Sequence, residues 1–238
     1  MTRTARAVAV GIPHHVIQRG NNRQDVFFVD EDRERYLELL QAKSQQYGLE
    51  VHAYCLMTNH VHLVVVPLNE EALAKGIGRT HFVYSRYVNR LHGRSGHLWQ
   101  NRFFSCPLEE THYWRTVAYV ERNPVRARAV RRAWRYPWSS AQAHLDVKDP
   151  LGLLDLSGWR RRDGGERWKE QLQAPEDDGF VGRLRTRSFN GLPLGSDSFV
   201  SKLEVKLNRR LRPAPVGRPR KKAPRPKAKG PQRRHRNQ

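Results

Sequence analysis

Residues 50–66 read EVHAYCLMTNHVHLVVV, two apolar segments joined by a short polar turn. Alternation and β-branched residues favour a strand on each side of Thr58-Asn59, so the stretch predicts a β-hairpin. Because side chains alternate across a strand, His60 and His62 at the start of the second strand share one face. Two imidazoles at this spacing can bind one metal ion, or they can be hydrogen-bonded histidines at the end of a strand.

The sequence on either side of the hairpin continues to alternate between strand and helix patterns. In chain order, the predicted elements are a strand within 13–22, a helix over 30–48, strands over 50–57 and 60–66, a helix over 69–92, a strand over 97–108 and a helix from Thr111 to about Arg122. The first six elements form a split β-α-β repeat. We therefore predict an α+β, ferredoxin-like sandwich in which helices cover one face of an antiparallel sheet and the other face is free for a site.

Composition divides the chain into three parts. The predicted ferredoxin-like domain spans 8–145, and an extension follows over 146–211, where a capped apolar stripe predicts a short helix over 196–211. Residues 212–238 are rich in proline and basic residues and contain no acidic residue. This tail has too little apolar surface to offset the entropy of ordering, so we expect it to be disordered.

The 238-residue chain carries a formal net charge of +21 at pH 7. A charge of this size favours a polyanionic partner, nucleic acid before an anionic membrane. No segment approaches the ~20 apolar residues that span a bilayer, and Cys55 and Cys106 make no disulfide framework. We expect a cytoplasmic, nucleoid-associated protein that binds no membrane and no small-molecule substrate. We also expect a monomer, because no segment has the pattern of a dimer interface.

A second candidate motif is VAYVERNPVRA, residues 117–127. Tyr119 is predicted late in a helix and Asn123 one turn later, so both can project to the same side, although the following proline places Asn123 near the helix end. Taken separately, Tyr119 could pack its ring on the sheet and Asn123 could cap the helix. With His60 and His62, an Asn123 oxygen would give three ligands suited to Mg²⁺ or Mn²⁺, and also to Zn²⁺ or Ni²⁺. An ion there would polarise a phosphate, and Tyr119 would be the nucleophile.

Three segments carry a resemblance to a known family: NHVHLVV, YVERNPVRA and GIPHHVIQRGNNRQDVFF. They resemble the REP-associated tyrosine transposases, a group of the single-tyrosine HUH transposases, over about residues 8–145. HVH fits the HUH pattern, in which the middle residue is hydrophobic. Tyr119 and Asn123 fit the group's YxxxN variant of the YxxxQ motif found in related insertion-sequence transposases. GSDSFVSKLE and the later GRPRK are similar to the group's C-terminal extension.

The resemblance implies a ferredoxin-like HUH domain that cleaves and rejoins single-stranded DNA with a divalent ion, Mg²⁺ or Mn²⁺. It implies that Tyr119 becomes joined to a 5′ phosphate and that the substrates are hairpins of repetitive extragenic palindromes. It also implies metal ligation by His60, His62 and Asn123. Asparagine is one methylene shorter than the glutamine of the wider motif, so we expect its contact with the ion to be weak or mediated by water.

Three other functions stay open on the sequence. One is a catalytically inactive hairpin-DNA-binding protein or regulator on the same fold. Another is a replication initiator or relaxase-like nuclease, which the short chain disfavours. The third is a metal-dependent phosphoesterase that uses water as its nucleophile, which would leave Tyr119 without a role.

Basic residues that could follow a DNA backbone are clustered near the predicted site. They are Arg19, Arg23, Arg86, Arg90, Arg102, Arg126, Arg128 and Arg131. Any one of them could be a solvated surface residue, but the clustering favours DNA binding for the set. The tail contains Gly-Arg-Pro-Arg, which resembles an AT-hook core, with non-specific electrostatic tethering as the alternative role.

Overall fold

A computed structural model describes residues 6–146, 148–160 and 164–212. Its strands are β1 (His14–Arg19), β2 (Leu49–Met57), β3 (His60–Pro67) and β4 (Phe104–Pro107). They form one antiparallel sheet in the spatial order β2-β3-β1-β4. This is the strand order of a split β-α-β repeat, and it confirms the predicted α+β, ferredoxin-like fold.

The helices connect and flank these strands. In chain order they are α1 (Asp30–Tyr47), α2 (Gly78–Leu91), α3 (Glu110–Glu121), α4 (Asn123–Arg126), α5 (Ala141–Asp146), α6 (Ser157–Arg160), α7 (Gly164–Gln173), α8 (Asp178–Asn190) and α9 (Asp197–Lys206). α1 and α2 belong to the β-α-β repeat, whereas the others follow β4. Within the described residues, no helix is long and apolar enough to cross a membrane.

α1 and α2 pack on one face of the sheet, as the element order predicts. Tyr36 and Leu40 of α1 and Tyr84 of α2 are fully buried in one cluster with Val16 and Leu63 of the sheet. Burying an apolar side chain of this size contributes roughly 1.5–3 kcal/mol. α1 ends at a glycine in the left-handed conformation, which turns the chain directly into β2.

The opposite face of the sheet is also covered, which corrects the expectation that it would be free. Ala53, Cys55 and Val64 are fully buried there, in one cluster with residues of α3, α7 and α8. Because side chains alternate along a strand, these residues point away from α1 and α2 and need a cover of their own. The C-terminal extension thus packs on the domain, and a cleft stays open beside the start of β3.

Three predicted elements are shorter than the sequence pattern indicated. The helix predicted over 69–92 is regular only over α2, after a π-helical segment at Leu73–Ile77. The strand predicted over 97–108 is confined to β4, because the chain turns at Asn101, which has a φ of 56°. The helix predicted over 196–211 ends five residues early at Lys206, and Asn208 then adopts a φ of 44°. Residues 213–238 of the predicted disordered tail lie outside the described residues.

Candidate active site

The two histidines at the start of β3 share a cleft with Tyr119 of α3. The His60 and His62 rings are 5.1 Å apart between centroids, and His62 is 2% exposed. The Tyr119 ring is roughly perpendicular to the rings of His62 and of His15 in β1, with centroids 5.7 and 5.8 Å apart, respectively. Strand alternation on β3 and β1 and the helical position of Tyr119 thus bring three imidazoles and one phenol to the same cleft.

His15 orients His62 through a hydrogen bond between their rings. The Nε2 atom of His15 lies 2.9 Å from Nδ1 of His62, and Nδ1 of His15 lies 2.8 Å from the Ser188 hydroxyl of α8. His60 Nδ1 is bonded to the Asn59 side-chain oxygen at 2.6 Å. Within the described residues, these bonds leave the Nε2 atoms of His60 and His62 as the ring nitrogens that can accept a metal ion.

Burial keeps these imidazoles neutral at pH 7. It lowers the pKa of His15 to about 3 and of His60 to about 4, and it lowers the pKa of His62 well below its ordinary value. The positive charges of Arg19 and Arg126 lower the pKa values of His60 and His62 further. Neutral imidazole is the form that ligates a metal, so the protonation state fits that role.

Asn123 lies in the same cleft, at the start of α4, and its side chain is already hydrogen-bonded. Its Nδ2 donates to the carbonyls of Tyr119 at 3.2 Å and Val120 at 3.1 Å. Its Oδ1 accepts from Arg126 Nη1 at 3.1 Å. The amide oxygen keeps a second lone pair, so two imidazoles and one amide oxygen form a donor set that fits a divalent ion.

A second group of possible metal ligands lies farther along β2. Ligand atoms of Glu50, His52 and Asp155 are all within 4.8 Å of one another. Nδ1 of His52 is held by the Tyr113 hydroxyl at 2.8 Å. These residues do not line the cleft that contains Tyr119, so they form a separate candidate cluster.

Tyr119 is held by two arginines as well as by the histidines. The Arg126 guanidinium lies 4.3 Å above the centre of the Tyr119 ring, and Arg126 is paired with Glu176 through contacts of 2.6 and 3.0 Å. Arg185 of α8 donates from Nε to the Tyr119 hydroxyl at 3.4 Å. The phenol is 5% exposed and borders a cleft of about 520 Å³.

The eight arginines proposed for DNA binding are not all at this cleft. Arg19 and Arg126 line it. Arg86 and Arg90 line a separate groove on α2, and Arg102 lines a pocket at the edge strand β4. The remaining three are exposed at other positions: Arg23, Arg128 and Arg131.

Sequence reasoning missed the contributions of His15, Glu176, Arg185 and Ser188. Of these, only His15 could have been found from the sequence, because it is a histidine in a strand expected to lie in the same sheet as His62. The other three lie in the extension, far from Tyr119 in sequence, and no local pattern relates them to it.

A family comparison covers this region of the chain. Residues 9–123 match the family model described as "Transposase IS200 like". These residues form an IS200-like transposase domain. The match includes both β3 histidines and Tyr119, but neither Arg185 nor Ser188.

Two solved structures are similar to this chain. A REP-associated tyrosine transposase bound to a REP hairpin is 16% identical with a TM-score of 0.51, and the similarity covers 63% of this chain and 90% of that one. A proposed transposase from Deinococcus radiodurans R1 is 21% identical with a TM-score of 0.36, covering 50% of this chain and 96% of that one. At this identity, the first similarity supports the fold. No curated protein matches the chain significantly.

Proposed function

We propose that this protein is a metal-dependent tyrosine transposase that cleaves and rejoins single-stranded DNA at hairpins of the REP type. The observation that carries the proposal is the position of Tyr119 in one basic cleft with His60 and His62, where its ring contacts His62. A nucleophile, two candidate metal ligands and guanidinium groups for phosphate are what such a reaction requires.

The residues of the cleft have separate roles in the proposed reaction. The Tyr119 oxygen attacks the scissile phosphorus, the bond from phosphorus to the 3′ oxygen breaks, and the DNA strand ends in a free 3′ hydroxyl. The 5′ phosphate stays on Tyr119 as an ester, so rejoining is the reverse exchange and needs no nucleotide cofactor. A divalent ion held by His60, His62 and Asn123 would supply Lewis-acid polarisation of the phosphate.

The substrate class rests on charge and on the similar structure. That REP-associated transposase is bound to a REP hairpin, and we extend the same partner to this chain. We propose that Arg19 in the cleft and Arg86 and Arg90 in the α2 groove contact phosphates on different parts of one DNA molecule. We propose that the protein acts as a monomer in the cytoplasm, close to the nucleoid.

The test is a denaturing gel of the protein mixed with single-stranded hairpin DNA and Mn²⁺. A label at the 3′ end of the DNA should move into a covalent protein band, whereas a 5′ label should stay on a free, shortened strand. Tyr119→Phe should abolish the band. Tyr113→Phe is the matched control, because Tyr113 is on the same helix but contacts His52 outside the cleft.

Other results would favour the alternative functions. Cleavage that survives Tyr119→Phe without a covalent band would indicate a water nucleophile. Tight hairpin binding without cleavage across many hairpins and metals would favour a catalytically inactive DNA-binding protein.

A further inference from the structure

Helix α8 lies outside the IS200-like match, yet one side of it forms part of the active-site cleft. Arg185, Ser188 and Phe189 line the cleft, and their spacing of three and four residues places them on one helix face. Ser188 bonds His15, and Arg185 bonds Tyr119. The extension therefore supplies a basic group directly to the candidate nucleophile.

The two arginines near Tyr119 are held differently. Arg126 lies over the ring face and is engaged by Glu176 and by Asn123. Arg185 instead donates a hydrogen bond to the phenol oxygen. No carboxylate in the described part of the chain lies within salt-bridge distance of the Arg185 guanidinium. Arg185 can therefore bind an anion at the cleft without first breaking an ion pair.

We propose that Arg185 is a catalytic residue of the transesterification, an inference that rests on the function proposed above. Its Nε–H group stabilises the negative charge that develops on the Tyr119 oxygen, and its Nη groups bind a non-bridging oxygen of the scissile phosphate. The present Nε to Oη distance of 3.4 Å is long, as catalytic hydrogen bonds often are before the substrate binds.

The reaction balances without a protein base. The phenolic proton leaves to water as the bond from the Tyr119 oxygen to phosphorus forms. The electron pair of the breaking bond departs with the 3′ oxygen, which takes a proton from water. Arg185 stays protonated throughout and contributes charge and orientation only.

The test compares the rate of covalent adduct formation in three variants, with wild type as reference. We expect Arg185→Ala to slow adduct formation about 100-fold, the usual effect of removing a donor to a developing charge, and Arg185→Lys to recover part of it. Arg183→Ala is the control, because Arg183 is on the same helix but its charge acts on His112 and Asp177. Its rate should stay within about threefold of wild type.

Chemical rescue separates a catalytic role from a structural one. Guanidinium ion added at concentrations below its denaturing range should restore adduct formation in Arg185→Ala and leave Arg183→Ala unchanged. Hairpin affinity, measured in a Tyr119→Phe background, should fall by no more than the loss of one phosphate contact when the Arg185→Ala substitution is added.

Several results would overturn the proposal. A wild-type rate or a faster rate in Arg185→Ala would mean that Arg185 is dispensable or restrains the tyrosine. Loss of hairpin binding or of folding, without rescue by guanidinium, would assign it a structural role. If the wild type itself forms no adduct, the proposed function has failed and this inference fails with it.

Discussion

His15 Nε2 lies 2.9 Å from His62 Nδ1, and the two rings are nearly parallel, with 7° between their planes. The bond continues from His15 to the Ser188 hydroxyl, so a strand of the IS200-like domain and helix α8 together fix the orientation of one candidate metal ligand. A ligand held in this way presents its free nitrogen in one direction only, which favours metal binding.

Removing this support should weaken metal binding. We expect Ser188→Ala to lower Mn²⁺ affinity by about 10-fold and His15→Ala by up to about 100-fold, because each substitution frees the His62 ring to rotate. Titration calorimetry with Mn²⁺ on the DNA-free protein measures these affinities. His14→Ala is the control, since the His14 ring is bonded to the Ile12 carbonyl and is not part of the cleft. Equal affinities for all variants would mean that the bonds from His15 and Ser188 do not support metal binding.

The extension should depend on Glu121 for its attachment. This carboxylate is fully buried and accepts from Ser140 Oγ and His144 Nδ1 at 2.5 Å and from Trp168 Nε1 at 2.8 Å. We expect Glu121→Ala to cost about 3–5 kcal/mol of unfolding free energy, because several buried donors lose their acceptor. Urea unfolding followed by tryptophan fluorescence measures it.

A surface substitution on the same helix supplies the comparison for Glu121. Thr111→Ala, at an exposed position of α3, should change the unfolding free energy by less than about 0.5 kcal/mol. A similar, small cost for both substitutions would mean that the buried network contributes little to holding the extension on the domain.

Strand and helix periodicity predicted the parts of the site that lie within single elements. Alternation placed His60 and His62 on one face. Helical spacing placed Tyr119 and Asn123 together, although Asn123 begins the next helix, α4. Arg185 could not be predicted, because its contact with Tyr119 joins residues 66 positions apart through the packing of α8. The cover on the second face of the sheet was not predicted either, because it also depends on packing between distant parts of the chain.

The buried histidines should make stability depend on pH. Burial holds the pKa of His14 at about 4 and of His81 at about 3, whereas the unfolded chain titrates near the ordinary value of 6.5. Below pH 6.5 the unfolded chain therefore binds protons that the folded chain does not, and unfolding becomes easier by up to about 1.4 kcal/mol per pH unit for each histidine. This loss continues until the pH falls through the folded-state pKa.

Urea unfolding of a His81 variant between pH 7 and pH 5 checks this dependence. His81→Gln should flatten the slope, because glutamine does not titrate and its oxygen can accept from Tyr36, which now bonds His81 at 3.0 Å. His97→Gln, at an exposed position, should leave the slope as in wild type. Equal slopes in all three proteins would mean that His81 is not a source of the pH dependence.

Arg19 should contribute one phosphate contact to DNA binding. It lines the cleft, and its charge acts on both His60 and His62. Each phosphate neutralised on a single strand adds about 0.7 to the slope of log affinity against log salt, so Arg19→Ala should reduce that slope by about this amount. Fluorescence anisotropy with a labelled hairpin, in a Tyr119→Phe background, measures the slope over roughly 50–200 mM salt.

The control for Arg19 is Arg115→Ala, which removes the same charge from a residue paired with Asp177 outside the cleft. We expect its slope to match that of the parent protein. If both variants reduce the slope equally, binding follows the net charge of the molecule. A reduction confined to Arg19→Ala locates a DNA phosphate in the cleft beside Tyr119, where the proposed strand cleavage requires it.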